Sequence, residues 1–166
     1  MITAESEYLA ECLRAELGDY GGLLNLFEQQ QQHIFDRNAE AVLRLASEIE
    51  QHSDRLAHCR TRREVAVAEF ARQHRCSPAS SLRSLLPHVE ADARPLLEAL
   101  INEVNTLLYR VRRVHRHNHS LLSRAVDVHQ DILQFLRPNS LTKTYSPGGR
   151  VSVTASRVPS TLRVAG

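Results

Sequence analysis

The sequence has no tryptophan, and aromatic residues make up only 5% of its 166 residues. Ala, Leu, Val, Arg, Glu and Gln dominate instead, and this composition suits elongated helices better than sheets. At this length the chain can form one domain with its own hydrophobic core. Elongated helices around one apolar seam are therefore the first expectation.

Cysteine is scarce, odd in number and widely spaced, at Cys12, Cys59 and Cys76, with no CxxC pair. This argues against a disulfide framework or a zinc site, and it favours a reducing compartment. The first residues lack the basic and apolar regions of a signal peptide, and no apolar run of about 18 residues is present. We therefore expect a cytoplasmic protein without stable membrane insertion.

Acidic residues are missing after Asp131, so the last part of the chain is basic. Its positive side chains are spread out and only one aromatic residue, Tyr145, lies among them, which is a poor signal for nucleic-acid binding. We expect no nucleic-acid partner. These basic residues are Arg137, Lys143, Arg150, Arg157 and Arg163.

An apolar pattern of alternating three- and four-residue steps runs through residues 96–136, between Pro95 and Pro138. This spacing predicts a helix that packs lengthwise against other helices. At 1.5 Å per residue it would be roughly 60 Å long. The repeating positions are Leu97, Leu100, Val104, Leu107, Val111, Val114, Leu121, Ala125, Val128, Ile132 and Phe135.

Two more helices are predicted before it. The first begins after Thr3 as N-cap, and the second begins after Asn38 and frays near His74. Joined by a short turn, they should form an antiparallel hairpin. Three glycines interrupt the first pattern, and they indicate either a close helix crossing or mild kink, or two shorter helices. They are Gly18, Gly21 and Gly22.

Ser77-Pro78 predicts the start of a short connecting helix over residues 79–86, ended by Pro87. After Pro138 the sequence is rich in turn residues. Residues 151–158 alternate weakly between apolar and polar, so they could add as an edge strand to a partner but are expected to be disordered alone. The predicted fold is all-α, an elongated antiparallel hairpin plus a long C-terminal helix. We expect a helical bundle domain over residues 1–137 and a flexible basic tail over residues 138–166.

Histidines form the densest group of possible metal ligands, at His115, His117 and His119. His115 and His119 share a helix face, as two ligands would, but no carboxylate or cysteine near them completes a site. A polar, pH-sensitive helix surface is the favoured interpretation. A histidine-based metal or phosphotransfer enzyme is the weakest of three functional hypotheses, and we expect no catalysis, no metal and no cofactor.

Three polar features lie on predicted helix faces. Arg60, Arg62 and Arg63 are interpreted as a solvated face rather than a phosphate site, because acidic residues are nearby. His52, on the apolar stripe of the second helix, is interpreted as a satisfied or partly exposed side chain. Asn118 occupies a seam position where Leu or Val is expected, so it can fix register or partner choice. Whether Asn118 faces its own bundle or a partner is open.

The order of short motifs across roughly residues 5–150 resembles the FlgN family of flagellar type III export chaperones. The resemblance rests on the turn at residues 35–42, on the Leu-rich residues 81–87, and on Asn118-His119-Ser120-Leu121-Leu122. The last of these is similar to the family's Asn-x-x-Leu-Leu. Residues 144–149 are similar to its Tyr-x-x-x-Gly. Where the family often has another asparagine three residues before Asn118, this chain has His115.

The resemblance implies a chaperone that binds C-terminal helical segments of hook–filament junction (hook-associated) proteins and keeps them unassembled. It also implies delivery to the cytoplasmic domain of the export gate, with Tyr145 as the docking residue. The latter half of the long helix would hold the client. The implied client-binding residues are Asn118, Leu121, Leu122, Ala125, Val128, Ile132, Phe135 and Leu136.

A coiled-coil scaffold or oligomeric adaptor without a secretion client is the alternative. In that case the apolar seam would pair with its own copy, and the pattern of apolar residues would look the same.

Overall fold

A computed structural model describes residues 3–136, 141–145 and 151–155 of the chain. Its long helices are α1 (Ala4–Phe35), α2 (Ala39–Gln73) and α4 (Arg94–Leu136), and α3 (Leu82–Leu85) is a short connecting helix. The chain separates into two compact units, Met1–Leu122 and Ser123–Gly166. The predicted all-α fold is confirmed, since α1 and α2 pack against α4.

Capping side chains fix where the hairpin helices begin. The Thr3 hydroxyl accepts a hydrogen bond from the backbone N–H of Ser6, and the Asn38 side chain accepts one from Ala41. Each bond satisfies a backbone donor that has no partner within the first turn of a helix. α1 is one continuous helix, so the alternative of two shorter helices is wrong.

The glycines of α1 differ in what surrounds them. A Cβ atom added at Gly22 would lie 2.6 Å from Cε1 of His52, whereas nothing lies within 4 Å of one added at Gly18. His52 is held there because its Nε2 lies 2.9 Å from the Asp19 carbonyl oxygen. The predicted close helix crossing is confirmed at Gly22, and His52 is a satisfied side chain as expected.

We expect Gly18→Ala to stabilise the protein by about 0.5–1 kcal/mol, because alanine lowers the backbone entropy cost in an exposed helix interior. Gly22→Ala should give no such gain, since its Cβ displaces the His52 ring. Urea unfolding of the two variants measures the difference. Equal stabilisation by both substitutions would contradict the close approach of His52 to Gly22.

The connecting segment differs in detail from the prediction. Residues 77–80 form a turn, with the Ser80 N–H donating to the Ser77 carbonyl, and helix α3 begins only after Ser81. The Ser81 hydroxyl caps it by accepting from the Ser84 N–H. The predicted cap at Ser77 is therefore wrong, because Ser77-Pro78 opens a turn and a second capping serine follows. A 3₁₀ turn, Leu86–His88, comes next and contains Pro87.

Within the first unit, α4 runs beside α1 in the same direction. The Ser6 hydroxyl donates to the Glu90 carboxylate just before α4, and the rings of Phe27 and His115 lie 5.2 Å apart. The core between these helices contains side chains from α1, α3 and α4. Its most buried members are Leu9, Leu13, Leu85 and Leu97.

The second unit contains the end of α4 and a pair of antiparallel strands, β1 (Leu141–Tyr145) and β2 (Val151–Ala155). In their register, Leu141 lies opposite Ala155 and Tyr145 opposite Val151. Part of the segment predicted to add to a partner as an edge strand thus pairs within the chain. Residues 156–158 of that segment lie outside the described residues, and the predicted 138–166 tail stays a prediction. No helix in the described part of the chain is long and apolar enough to cross a membrane.

Candidate functional site

The last fourteen residues of α4, Ser123–Leu136, are all exposed. Six of them are large apolar side chains with exposed fractions between 50% and 83%. Contiguous exposed apolar surface is uncommon on soluble proteins and marks a binding surface. The six side chains are Val126, Val128, Ile132, Leu133, Phe135 and Leu136.

These side chains share one side of the helix. At about 100° per residue, apolar positions cover roughly half of the circumference, while Arg124, Asp127 and Asp131 lie on the other half. We call the apolar half the terminal apolar face. It consists of Ala125, Val126, Val128, Ile132, Leu133, Phe135 and Leu136.

The geometry of this face suits one kind of ligand. An amphipathic helix presents apolar side chains at three- and four-residue steps, and it can lie along a face with the same spacing. Each large apolar side chain that becomes fully buried contributes roughly 1.5–3 kcal/mol. The charged rim would stay in water. The face can therefore hold an amphipathic helical segment.

Asn118 lies outside the terminal apolar face. Its side chain is 1% exposed, and its Nδ2 donates to the Phe27 carbonyl at 2.8 Å and to Oε1 of Gln30 at 3.2 Å. Asn118 thus faces its own bundle, which settles the question that its seam position left open. Leu121 and Leu122 are half-buried at the end of the first unit. The structure brings together the predicted residues from Ala125 to Leu136, whereas it does not bring Asn118 to the exposed surface.

Two other predicted features are Tyr145 and the histidines at 115, 117 and 119. Tyr145 is the last residue of β1, and its side chain lies outside the described residues. The ring of His115 contacts Phe27, while His117 and His119 are exposed. Among the described residues, no group of three or more His, Cys, Asp or Glu side chains is placed to hold a metal ion.

Sequence reasoning missed three members of the exposed surface. Val126 and Leu133 belong to the terminal apolar face, and His129 lies between them on the same side of the helix. The signal was present, because Val126, His129, Leu133 and Leu136 also follow three- and four-residue steps. They form a second row beside the predicted row of Leu121, Ala125, Val128, Ile132 and Phe135.

A family model described as FlgN protein matches residues 1–152. The chain belongs to the FlgN family. This is the flagellar export chaperone family, so the resemblance seen in the short motifs is confirmed. No curated protein and no solved structure matches the chain.

The FlgN match includes the whole of α1 to α4 and ends within β2. The terminal apolar face therefore belongs to the part of the chain that follows the FlgN pattern. FlgN proteins are chaperones that act in flagellum assembly and type III export. For this chain, an exposed apolar surface is the feature of the fold that such a chaperone activity needs.

Proposed function

We propose that this FlgN-family protein is a cytoplasmic chaperone for hook–filament junction proteins. The terminal apolar face of α4 binds an amphipathic C-terminal helix of the client and keeps it from assembling. The client is then delivered to the cytoplasmic domain of the export gate, where Tyr145 is the docking residue. The exposure of the terminal apolar face is the observation that carries the proposal.

Helix lengths support a partner from outside the chain. In the first unit, Asn118 of α4 meets Gln30 of α1, and α1 ends five residues later at Phe35. α4 has eighteen residues after Asn118, ending at Leu136. The large apolar side chains of α4 in the second unit are exposed, so another surface is needed to cover them.

The mechanism requires no catalysis. A chaperone that binds the client helix lowers the concentration of free helix by mass action, and so reduces the chance that clients assemble or aggregate before export. Affinity depends on apolar burial, and specificity depends on the rim and on polar groups within the face. Release follows when a stronger partner competes for the client or for α4.

We expect Ile132→Asp to weaken binding of a junction-protein C-terminal segment at least tenfold, about 1.4 kcal/mol, because a carboxylate would be buried in the contact. Gln134→Asp is the matched control. It adds the same charge on the polar half of the same helix, and it should change the dissociation constant less than about threefold. Isothermal titration calorimetry with purified protein and segment measures both values.

Each outcome is informative because Ile132 and Gln134 are both exposed, so neither variant should unfold the bundle. Unchanged affinity in Ile132→Asp would contradict the proposed face. A free protein that is dimeric, becomes monomeric in Ile132→Asp and binds no junction protein would instead support the coiled-coil scaffold. Light scattering with and without the segment distinguishes these cases.

A further inference from the structure

One polar side chain, His129, lies within the terminal apolar face. Its neighbours one turn away on α4 are Ala125, Val126, Ile132 and Leu133, at three- and four-residue steps on either side. A client helix that covers this face also covers the imidazole. His129 is thus the polar group whose hydrogen bonding a client must accommodate.

The hydrogen bond of His129 fixes which ring nitrogen carries the proton. Nδ1 lies 2.7 Å from the carbonyl oxygen of Ala125. A carbonyl oxygen only accepts, so Nδ1 is the donor, and in the neutral ring Nε2 holds a lone pair. Among the described residues, none makes a hydrogen bond or ion pair with Nε2. The imidazole therefore presents a hydrogen-bond acceptor from the middle of an apolar surface.

Asn118 shows how the same stripe treats a polar group once it is covered. It precedes His129 by eleven residues, about three helical turns, so both project from nearly the same side of α4. Where α1 covers the stripe, Nδ2 of Asn118 donates to the Phe27 carbonyl and to the Gln30 side chain, whereas its Oδ1 has no hydrogen-bond partner among the described residues. A buried polar group that lacks such a partner weakens the contact.

We propose that His129 is a specificity-determining residue of the terminal apolar face, and that it selects client helices with a neutral hydrogen-bond donor in the middle of their apolar side. Ser, Thr, Asn and Gln side chains supply such a donor. This inference rests on the proposed function, because it assumes that a client helix covers the face. It adds the chemistry by which one amphipathic helix is preferred over another.

The test uses the full chain and the purified C-terminal segment of each junction protein encoded in the same genome. We expect His129→Leu to weaken segment binding about tenfold at pH 7.5, because the donor of the client loses its acceptor. His129→Gln should retain affinity within about threefold, since its amide oxygen accepts.

A purely apolar contact predicts the opposite sign, because leucine adds apolar surface. Equal or tighter binding by His129→Leu, with wild-type binding intact, would overturn this inference and leave the proposed function standing. Failure of every junction-protein segment to bind the wild-type chain would overturn both. Unfolding curves of the variants should match the wild type, because His129 is exposed.

Discussion

Arg63→Met is expected to destabilise the protein by about 3–5 kcal/mol at neutral pH, because it leaves a buried carboxylate without its partner. Nε of Arg63 lies 2.7 Å from Oε2 of Glu16, and this pair joins α2 to α1. The Glu16 side chain is 1% exposed and that of Arg63 is 24% exposed. The carboxylate therefore depends on the guanidinium far more than the guanidinium depends on the carboxylate.

The loss should depend on pH with a defined sign. Burial raises the pKa of Glu16, and the neighbouring charge of Arg63 opposes that rise. Without Arg63 the pKa rises further, so the folded state holds a proton that the unfolded state releases above the ordinary value of 4.5. Stability then falls as the pH increases through this window. We expect the Arg63→Met defect to shrink as the pH is lowered from about 7.5 towards about 5.

Glu16→Gln is the matched control for this pair. It removes the buried charge, keeps the shape of the side chain, and leaves a guanidinium that can reach water. Its cost should be clearly smaller than that of Arg63→Met at pH 7.5, and it should not shrink as the pH is lowered, because glutamine binds no proton. Urea unfolding of both variants at two pH values measures the difference. If the two variants lost the same free energy of unfolding at both pH values, the dependence of Glu16 on Arg63 would be contradicted.

This ion pair also marks a limit of sequence reasoning. Arg63 was interpreted with Arg60 and Arg62 as a solvated face, and for Arg63 that interpretation is wrong because its guanidinium pairs with buried Glu16. Charge spacing along one helix predicts neighbours within that helix. It carries no information about which turn of α1 meets which turn of α2, and the crossing of the two helices decides the pairing.

Helix ends and helix periodicity were predictable where a few adjacent residues determine them. Thr3 and Asn38 cap α1 and α2 as expected, and the three-four rhythm predicted α4 almost to its ends. The connecting segment was harder, because Ser77 and Ser81 are both good caps and packing of α3 selects the second. A helix start was predictable where one capping residue indicates it. It was not predictable where two equally good caps, Ser77 and Ser81, compete.

The candidate site was predictable in its residues but not in its limits. The apolar stripe continues through α4 with unchanged spacing, so its periodicity is the same where it is buried and where it is exposed. Burial depends on whether another helix covers the stripe, and the contact between Asn118 and Gln30 shows that α1 covers it at Asn118. For this reason the sequence placed buried Asn118 and exposed Ile132 in one predicted surface.

Asn118→Asp is expected to cost about 3 kcal/mol or more at neutral pH, despite the nearly identical shape of the two side chains. In the wild type, Nδ2 donates to the Phe27 carbonyl and to Oε1 of Gln30. Aspartate places an oxygen where that donor stood, so a buried negative charge faces two acceptors. Chemical unfolding measures the loss.

Asn118→Leu separates the effect of charge from the loss of the hydrogen bonds. Leucine suits the seam, but it removes the donor from both the Phe27 carbonyl and Oε1 of Gln30, so we expect a cost of about 1–2 kcal/mol, below that of aspartate. An aspartate variant as stable as the leucine variant would contradict the hydrogen bonds of Asn118. The expected order, with leucine tolerated and aspartate not, would establish that the stripe of α4 accepts the Nδ2 donor of Asn118 because α1 supplies its acceptors. That is the same requirement that we infer for His129 and the client.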